Sequence, residues 1–366
     1  MNKEIRPLLV LIKGLIFFAF ANLLYAMIDP PLSLSAYNTL FAGRARMPFD
    51  DHGDSYTVMV DDIEVMLESH VVSSIKEENE FRVLLIGDSS IWQEEVPVPE
   101  TFSEYWNAKK LQCNGRQMRF YNLGYPHPSV IKDLVVIQEA IRNDPDLILW
   151  FVTANTIMPR LVTPFIEANR EKTIRILDTY DLSLSGEGEL RGHSASMFDG
   201  TIVGERTLLA RWIKLQVLGL TWLATGVDYH EHQDSEASVP ENNLPYKINY
   251  FGYEPGTNFS SILEINALTA GYDLAGDTPM MLINEPIFIA SGENSELLYN
   301  ANYPRWAYDL YRSTLITEAE KSGWDFIDAW NIVPPQHFLT PLHVSAEGGQ
   351  IMTDYLTPFI LKNYCN

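Results

Sequence analysis

The stretch Val83-Leu-Leu-Ile-Gly-Asp-Ser-Ser-Ile-Trp92 runs apolar for four residues and then meets a glycine, a carboxylate and two hydroxyls. A short apolar run bounded by turn residues reads as a buried strand, and Gly, Asp and Ser are ordinary turn and helix N-cap residues. Taken alone, the motif is a strand-to-helix turn. The segments around it are what give it a place. Phe81 to Ile86 predicts a strand, Thr101 to Leu111 a helix, Arg119 to Leu123 a strand, Ser129 to Asn143 a helix, and Leu147 to Val152 a fully apolar strand. After a long break the alternation resumes with a strand Met280 to Ile283, a helix Tyr303 to Lys321, a strand Trp324 to Ile327 and a helix Ala346 to Asn363. Strands alternating with helix-length segments predict a parallel sheet with crossover helices. Residues 159–277, acidic and loop-rich, then form a long insertion in one α/β domain.

In a parallel sheet, ligands bind at the carboxyl ends of the strands. Here those ends are polar: Gly87-Asp88-Ser89-Ser90, Asn122-Leu-Gly124-Tyr-Pro-His127, Thr153-Ala-Asn155-Thr156 and Asn284-Glu285-Pro286, with Asp328 leading through a Pro-Pro loop to His343. A serine hydroxyl becomes a useful nucleophile when a base takes its proton, and imidazole titrates near neutral pH. Ser89 as nucleophile and His343 as base therefore suit acyl transfer. The oxyanion that develops needs fixed donors, for which the amides of Ser89 and Gly124 and the side chain of Asn155 are the candidates. Arg305, in Tyr303-Pro-Arg305-Trp306, reads as an anion-binding residue at the crevice mouth, with Asp88 and Glu285 as further substrate-binding candidates.

Arranged this way, the residues resemble the GDSL-type esterases and lipases, or SGNH hydrolases, and imply their flavodoxin-like three-layer α/β sandwich. Gly-Asp-Ser at 87–89 matches the family's first block, Asn122-Leu-Gly124 its second, Asn155 its third and His343 in Leu342-His-Val-Ser-Ala-Glu-Gly348 its fifth. The third block keeps Asn155 but lacks the family's flanking glycine and aspartate. Where the family places an aspartate three residues before its histidine, this chain has Thr340. Three readings stay open: Asp328 or Glu285 reaches His343 from another strand end, the site runs as a Ser/His dyad, or catalysis has been lost. Under the last, the chain is a binding or scaffold protein of the cell envelope.

The composition sets outer bounds. The chain has 366 residues, 46% of them hydrophobic, enough for a full core. Its formal charge of −22, from 48 acidic against 26 basic residues, disfavours a nucleic-acid partner. Two cysteines, Cys113 and Cys365, form neither a disulfide framework nor a zinc spacing, and their pairing is left open. His230-Glu-His232-Gln-Asp234 alternates metal-ligand types within an acidic polar run, and no metal or cofactor is assigned. Residues 8–28 form an apolar run broken only by Lys13, long enough to span a bilayer. The run is longer than the core of a usual signal peptide and no Ala-x-Ala site closes it, so it reads as an anchor. Lys3 and Arg6 ahead of it favour a cytoplasmic tail over residues 1–7 and an extracytoplasmic body, 29–80 as stalk or N-terminal extension and 81–366 as the α/β domain. Thr207 to Thr225 predicts an amphipathic helix, either core or lying on a membrane. The function expected is a single-pass, membrane-tethered serine esterase or O-acyltransferase. It would act on acyl esters of a cell-surface polysaccharide, with acetyl the expected group and a membrane-bound acyltransferase as a partner implied by similar tethered domains.

Overall fold

The computed structural model describes residues 6–28, 30, 43–49, 61–93, 95–159, 161–192, 198–225 and 240–365. Six strands make one sheet: β1 Glu80–Ile86, β2 Gln112–Cys113, β3 Arg116–Asn122, β4 Leu147–Val152, β5 Met280–Asn284 and β6 Asp325–Asp328. Their spatial order is β2-β3-β1-β4-β5-β6, with every pair parallel except the edge hairpin β2–β3. Leaving out β2, the parallel strands run second, first, third, fourth, fifth, which is the flavodoxin-like order. The predicted strands are all present, with ends displaced by at most three residues. β4 and β5 are buried along their whole length, as a sheet covered on both faces requires.

Alternate side chains of each strand feed two cores. Leu84, Ile86, Trp150 and Val152 pack beneath helices 130–140, 265–275 and 305–322, while Val83, Leu85, Leu149 and Phe151 face helices 102–108 and 346–364. Each fully buried aliphatic or aromatic side chain contributes about 1.5–3 kcal/mol, so these strand positions dominate the driving force for the three-layer arrangement.

Residues 43–49 and 61–74, which the sequence suggests as stalk, lie against this body. Met47, Ile63, Met66 and Val72 are buried in the first core. Within this segment, helix Ile63–Ser69 is capped by Asp62 and followed by a short 3-10 turn at 71–73. The apolar helix Pro7–Ile28 exposes most of its side chains. It meets the insertion through polar contacts: the Tyr25 hydroxyl donates to Glu205 at 2.8 Å, and the Val203 amide donates to Asn22 Oδ1 at 3.1 Å. Helix Arg206–Thr225 follows and leaves Leu208, Ile213, Val217 and Leu218 exposed, which excludes a core position for that face. Cys113 on β2 and Cys365 beyond the last helix are joined in a disulfide across 252 positions, tying the sheet edge to the C-terminus. The His230 to Asp234 segment lies outside the described residues.

Candidate active site

Gly87, Leu123, Thr153 and Glu285 are each the first residue past the end of a parallel strand. Leu85 pairs with Asn122, Ile86 with Trp150, and Val152 with Asn284. Each residue of Gly87-Asp-Ser-Ser90 has a separate task there. A Cβ on Gly87 would stand 2.5 Å from Ile91 Cγ1, so only glycine lets the chain fold straight into the short helix Ser89–Trp92. Asp88 caps that helix, accepting from the Ser90 amide at 3.0 Å. The Ser90 hydroxyl turns inward and donates to Glu285. Ser89 alone presents its hydroxyl at the crevice.

That hydroxyl lies 2.9 Å from His343 Nε2, across 254 positions of sequence. On the other side of the ring, His343 Nδ1 lies 2.6 Å from Glu95 Oε1. Burial of Glu95 works to raise its pKa, but the hydrogen bond and charge of His343 outweigh it and hold the carboxyl below its ordinary value. An ionised Glu95 makes Nδ1 the protonated nitrogen, so Nε2 offers its lone pair to the Ser89 hydroxyl. The three side chains form a directed hydrogen-bond chain in which the Ser89 hydroxyl donates to the imidazole and the imidazole donates to the Glu95 carboxylate.

Two loops build this chain. After helix 89–92, Gln93 takes a left-handed conformation, φ 60°, and turns the backbone back over the site. Arg46, from the N-terminal segment, clamps the returning loop by donating to Gln93 O at 2.5 Å and Val96 O at 3.0 Å. On the other side, Thr340 Oγ1 accepts from the amides of Leu342 at 3.3 Å and His343 at 3.0 Å, while the Leu339 amide donates to His343 O at 2.8 Å. Thr340 thus braces the backbone of the histidine loop, and the carboxylate at the imidazole comes from Glu95.

In fold, the chain is similar to G-D-S-L-type esterases. Solved structures that resemble it include a lipolytic G-D-S-L family member from Veillonella parvula, with TM-score 0.37 and 11% identity over 76% of this chain and 96% of that one. A carbohydrate acetylesterase family member from Sinorhizobium meliloti gives 0.34 and 10%, over 77% and 97%. The aryl esterase of M. smegmatis gives 0.33 and 11%, over 77% and 98%. No family model and no curated protein matches the chain. With identity this low, strand order and side-chain geometry are the grounds for any chemistry.

The geometry corrects several sequence expectations. Asp328 does not approach His343, because Asn284 Nδ2 donates to its Oδ1 at 2.7 Å and Arg312 Nη2 pairs with its Oδ2 at 2.5 Å. Glu285 is 2% exposed, and burial first, then the neighbouring charge of Asp88, push its pKa well above the ordinary carboxylate value. It sits behind Ser90, whose hydroxyl donates to it, and the carboxylate at His343 is Glu95. Asp88 is buried as a cap and does not face the crevice. Arg305 is engaged within the fold, its Nε donating to Ser295 O at 2.6 Å and its guanidinium 4.1 Å from the Tyr299 ring centre.

The oxyanion candidates also divide. The Gly124 amide donates to Asn122 Oδ1 at 3.0 Å, so that N–H is already committed. Gly124 is needed for close approach instead, since a Cβ there would lie 2.6 Å from Trp92 N. Ser89 occupies the first turn of its helix, and among the described residues nothing accepts from its amide. Asn155 Oδ1 accepts from the Tyr250 hydroxyl at 2.7 Å, which leaves Nδ2 as the donating end of that amide. Glu95 is the functional candidate that sequence reasoning missed. The available signal was an acidic residue just past the turn, on a segment too irregular for periodicity to place.

Proposed function

We infer that the protein is a serine ester hydrolase or O-acyltransferase working through Ser89, His343 and Glu95. The observation that carries this reading is the continuous chain from Ser89 Oγ to His343 Nε2 at 2.9 Å and from Nδ1 to Glu95 at 2.6 Å. Ser89 Oγ attacks the ester carbonyl carbon while His343 Nε2 takes the hydroxyl proton, and the ionised Glu95 stabilises the imidazolium that results. The Ser89 amide and Asn155 Nδ2 donate to the oxyanion. Collapse of the tetrahedral adduct breaks the bond to the alcohol, which leaves with the proton from His343. Water or a sugar hydroxyl, deprotonated by the same nitrogen, then attacks the acyl-Ser89 carbonyl and restores the serine. Hydrolase and transferase differ only in that second nucleophile.

The proposed substrate is an acyl ester, most simply acetyl, on a cell-surface glycan. Helix Pro7–Ile28, which contains an 18-residue stretch of mean hydropathy 2.2, supports a single-pass tether that holds the body at the outer face of the membrane. The Cys113–Cys365 disulfide suits an oxidising, extracytoplasmic compartment. A membrane-bound acyltransferase is the proposed acyl donor for the transfer reaction. Thr340 and the altered third block around Asn155 favour the scaffold reading, and a carboxylate hydrogen-bonded to His343 weakens the first of these grounds.

The test uses the full-length protein in detergent with a fluorophosphonate probe and p-nitrophenyl acetate. Labelling and acetate release are expected from the parent and lost in Ser89→Ala. A parent that neither labels nor releases acetate would return the chain to the scaffold reading.

A further inference from the structure

The insertion brings a second polar surface to the crevice. A cleft of about 390 Å³ is lined by Asn155, Lys247, Asn249, Tyr250, Phe251 and Asn302, among others. Its link to the chemistry is direct, because Tyr250 both lines the cleft and fixes the Asn155 side chain.

The floor of the cleft is rigid. Tyr250 is buried and meets the Phe259 and Tyr303 rings at 5.4 and 6.0 Å, and Trp306 Nε1 donates to Ile248 O at 2.6 Å. Tyr250 and Tyr253 exchange two backbone hydrogen bonds of 2.9 Å, closing a two-residue turn at Phe251 and Gly252 with φ of 51° and 84°. Gly252 suits such a turn, whereas an aromatic residue at positive φ is strained, and strain of this kind concentrates at functional sites. Phe251 is held there 52% exposed, presenting an aromatic ring at the cleft edge. Around it, the side chains of Lys247, Asn249 and Asn302 make no hydrogen bond or ion pair with any described residue.

We propose that this cleft is an acceptor subsite for an acidic glycan. A pyranose ring would lie on Phe251, its hydroxyls read by Asn249 and Asn302, and its carboxylate paired with Lys247. A flat apolar sugar face suits an aromatic ring, and amide side chains match vicinal hydroxyls as both donors and acceptors. The acidic requirement follows from Lys247. A chain of net charge −22 repels an anionic polymer over most of its surface, so a local cation with no partner among the described residues marks where that polymer is admitted. The proposal rests on the esterase reading for its biological purpose, while binding itself is independent of turnover.

The experiment is calorimetric titration of the full-length Ser89→Ala protein with oligogalacturonate, an acidic oligosaccharide, and with a neutral cello-oligosaccharide of equal length. Saturable binding of the acidic ligand is expected, at least tenfold tighter than the neutral one and weakening with added salt. In the same background, Phe251→Ala is expected to weaken binding at least tenfold, and Lys247→Gln to remove both the preference and the salt dependence. Phe251→Asn, a residue that tolerates left-handed backbone, serves if the alanine variant melts early. Equal affinity for the two ligands, or variants that bind as the parent does, would overturn the subsite. A parent with no ester turnover but intact acidic-glycan binding would instead overturn the esterase reading and leave the subsite standing.

Discussion

Glu95 hydrogen-bonds the imidazole of His343 at 2.6 Å, joining a loop next to the proposed nucleophile to one 248 positions further along the chain. Three residues before the histidine stands a threonine, Thr340, which braces the loop backbone. If Glu95 orients the ring and stabilises its charged form, Glu95→Gln is expected to lower kcat for p-nitrophenyl acetate by about 10²–10⁴ with little change in KM, by analogy with other triads. Asp328→Asn, placed at the Arg312 pair, is expected to leave kcat within a few fold. A larger loss in Asp328→Asn than in Glu95→Gln would reverse the assignment.

Thr340 makes a different prediction. Its hydroxyl accepts two loop amides, so Thr340→Ala leaves two donors without that acceptor and is expected to cost about 1 kcal/mol of stability. Activity should fall through a displaced His343. Thr340→Ser is expected to restore both, and thermal melts run beside the acetate assay would detect it. Rescue by Thr340→Asp in a Glu95→Gln background would show that the loop can also supply an acid.

Asn155 is the proposed side-chain oxyanion donor. Asn155→Ala is expected to reduce kcat by about 10²–10³, equivalent to about 2.7–4 kcal/mol, while fluorophosphonate labelling slows but persists. Tyr250→Phe removes the hydroxyl that fixes this amide at 2.7 Å, and a smaller loss is expected. An Asn155→Ala enzyme with unchanged kcat would remove it from the oxyanion role.

Glu285 carries a pH dependence of stability. Burial and the charge of Asp88 raise its folded pKa well above the ordinary value near 4.3, so the native state keeps a proton that the unfolded chain releases. The associated stability is fully present below the ordinary carboxylate pKa and is lost as pH rises through the folded one. Glu285→Gln, which mimics the neutral acid, is expected to flatten the fall in melting temperature from mildly acidic to alkaline pH. Melts of both proteins across that range test this, and parallel curves would show that Glu285 does not carry the dependence.

The disulfide closes a loop of 252 positions, and cross-links of this kind stabilise chiefly by restricting the unfolded chain. Cys113→Ser with Cys365→Ser is expected to cost about 2–4 kcal/mol. Reductant should lower the melting temperature of the parent and leave that of the double variant unchanged. A parent insensitive to reductant would show that the bond is not formed.

Much of this molecule was legible as a string of residues because the deciding signals are local. A six-residue apolar run such as Leu147 to Val152, set between helix-length segments, reads as a strand buried on both faces, and Gly87-Asp-Ser-Ser90 at the end of another such run marks where a side chain emerges from the sheet. Strand alternation therefore determined the layer architecture, and strand ends determined where Ser89 and Asn155 lie. Glu95, the committed amide of Gly124 and the bracing role of Thr340 were decided only by tertiary structure. Each depends on which loop crosses which, and an irregular segment carries no periodicity from which that crossing can be read. The same holds for Asp328 and Arg305, whose charges appear available in sequence but are taken up in the fold by Arg312 and by the Ser295 carbonyl. A charge shows its type in the sequence, whereas its partner is chosen by distances that exist only once the chain has closed on itself.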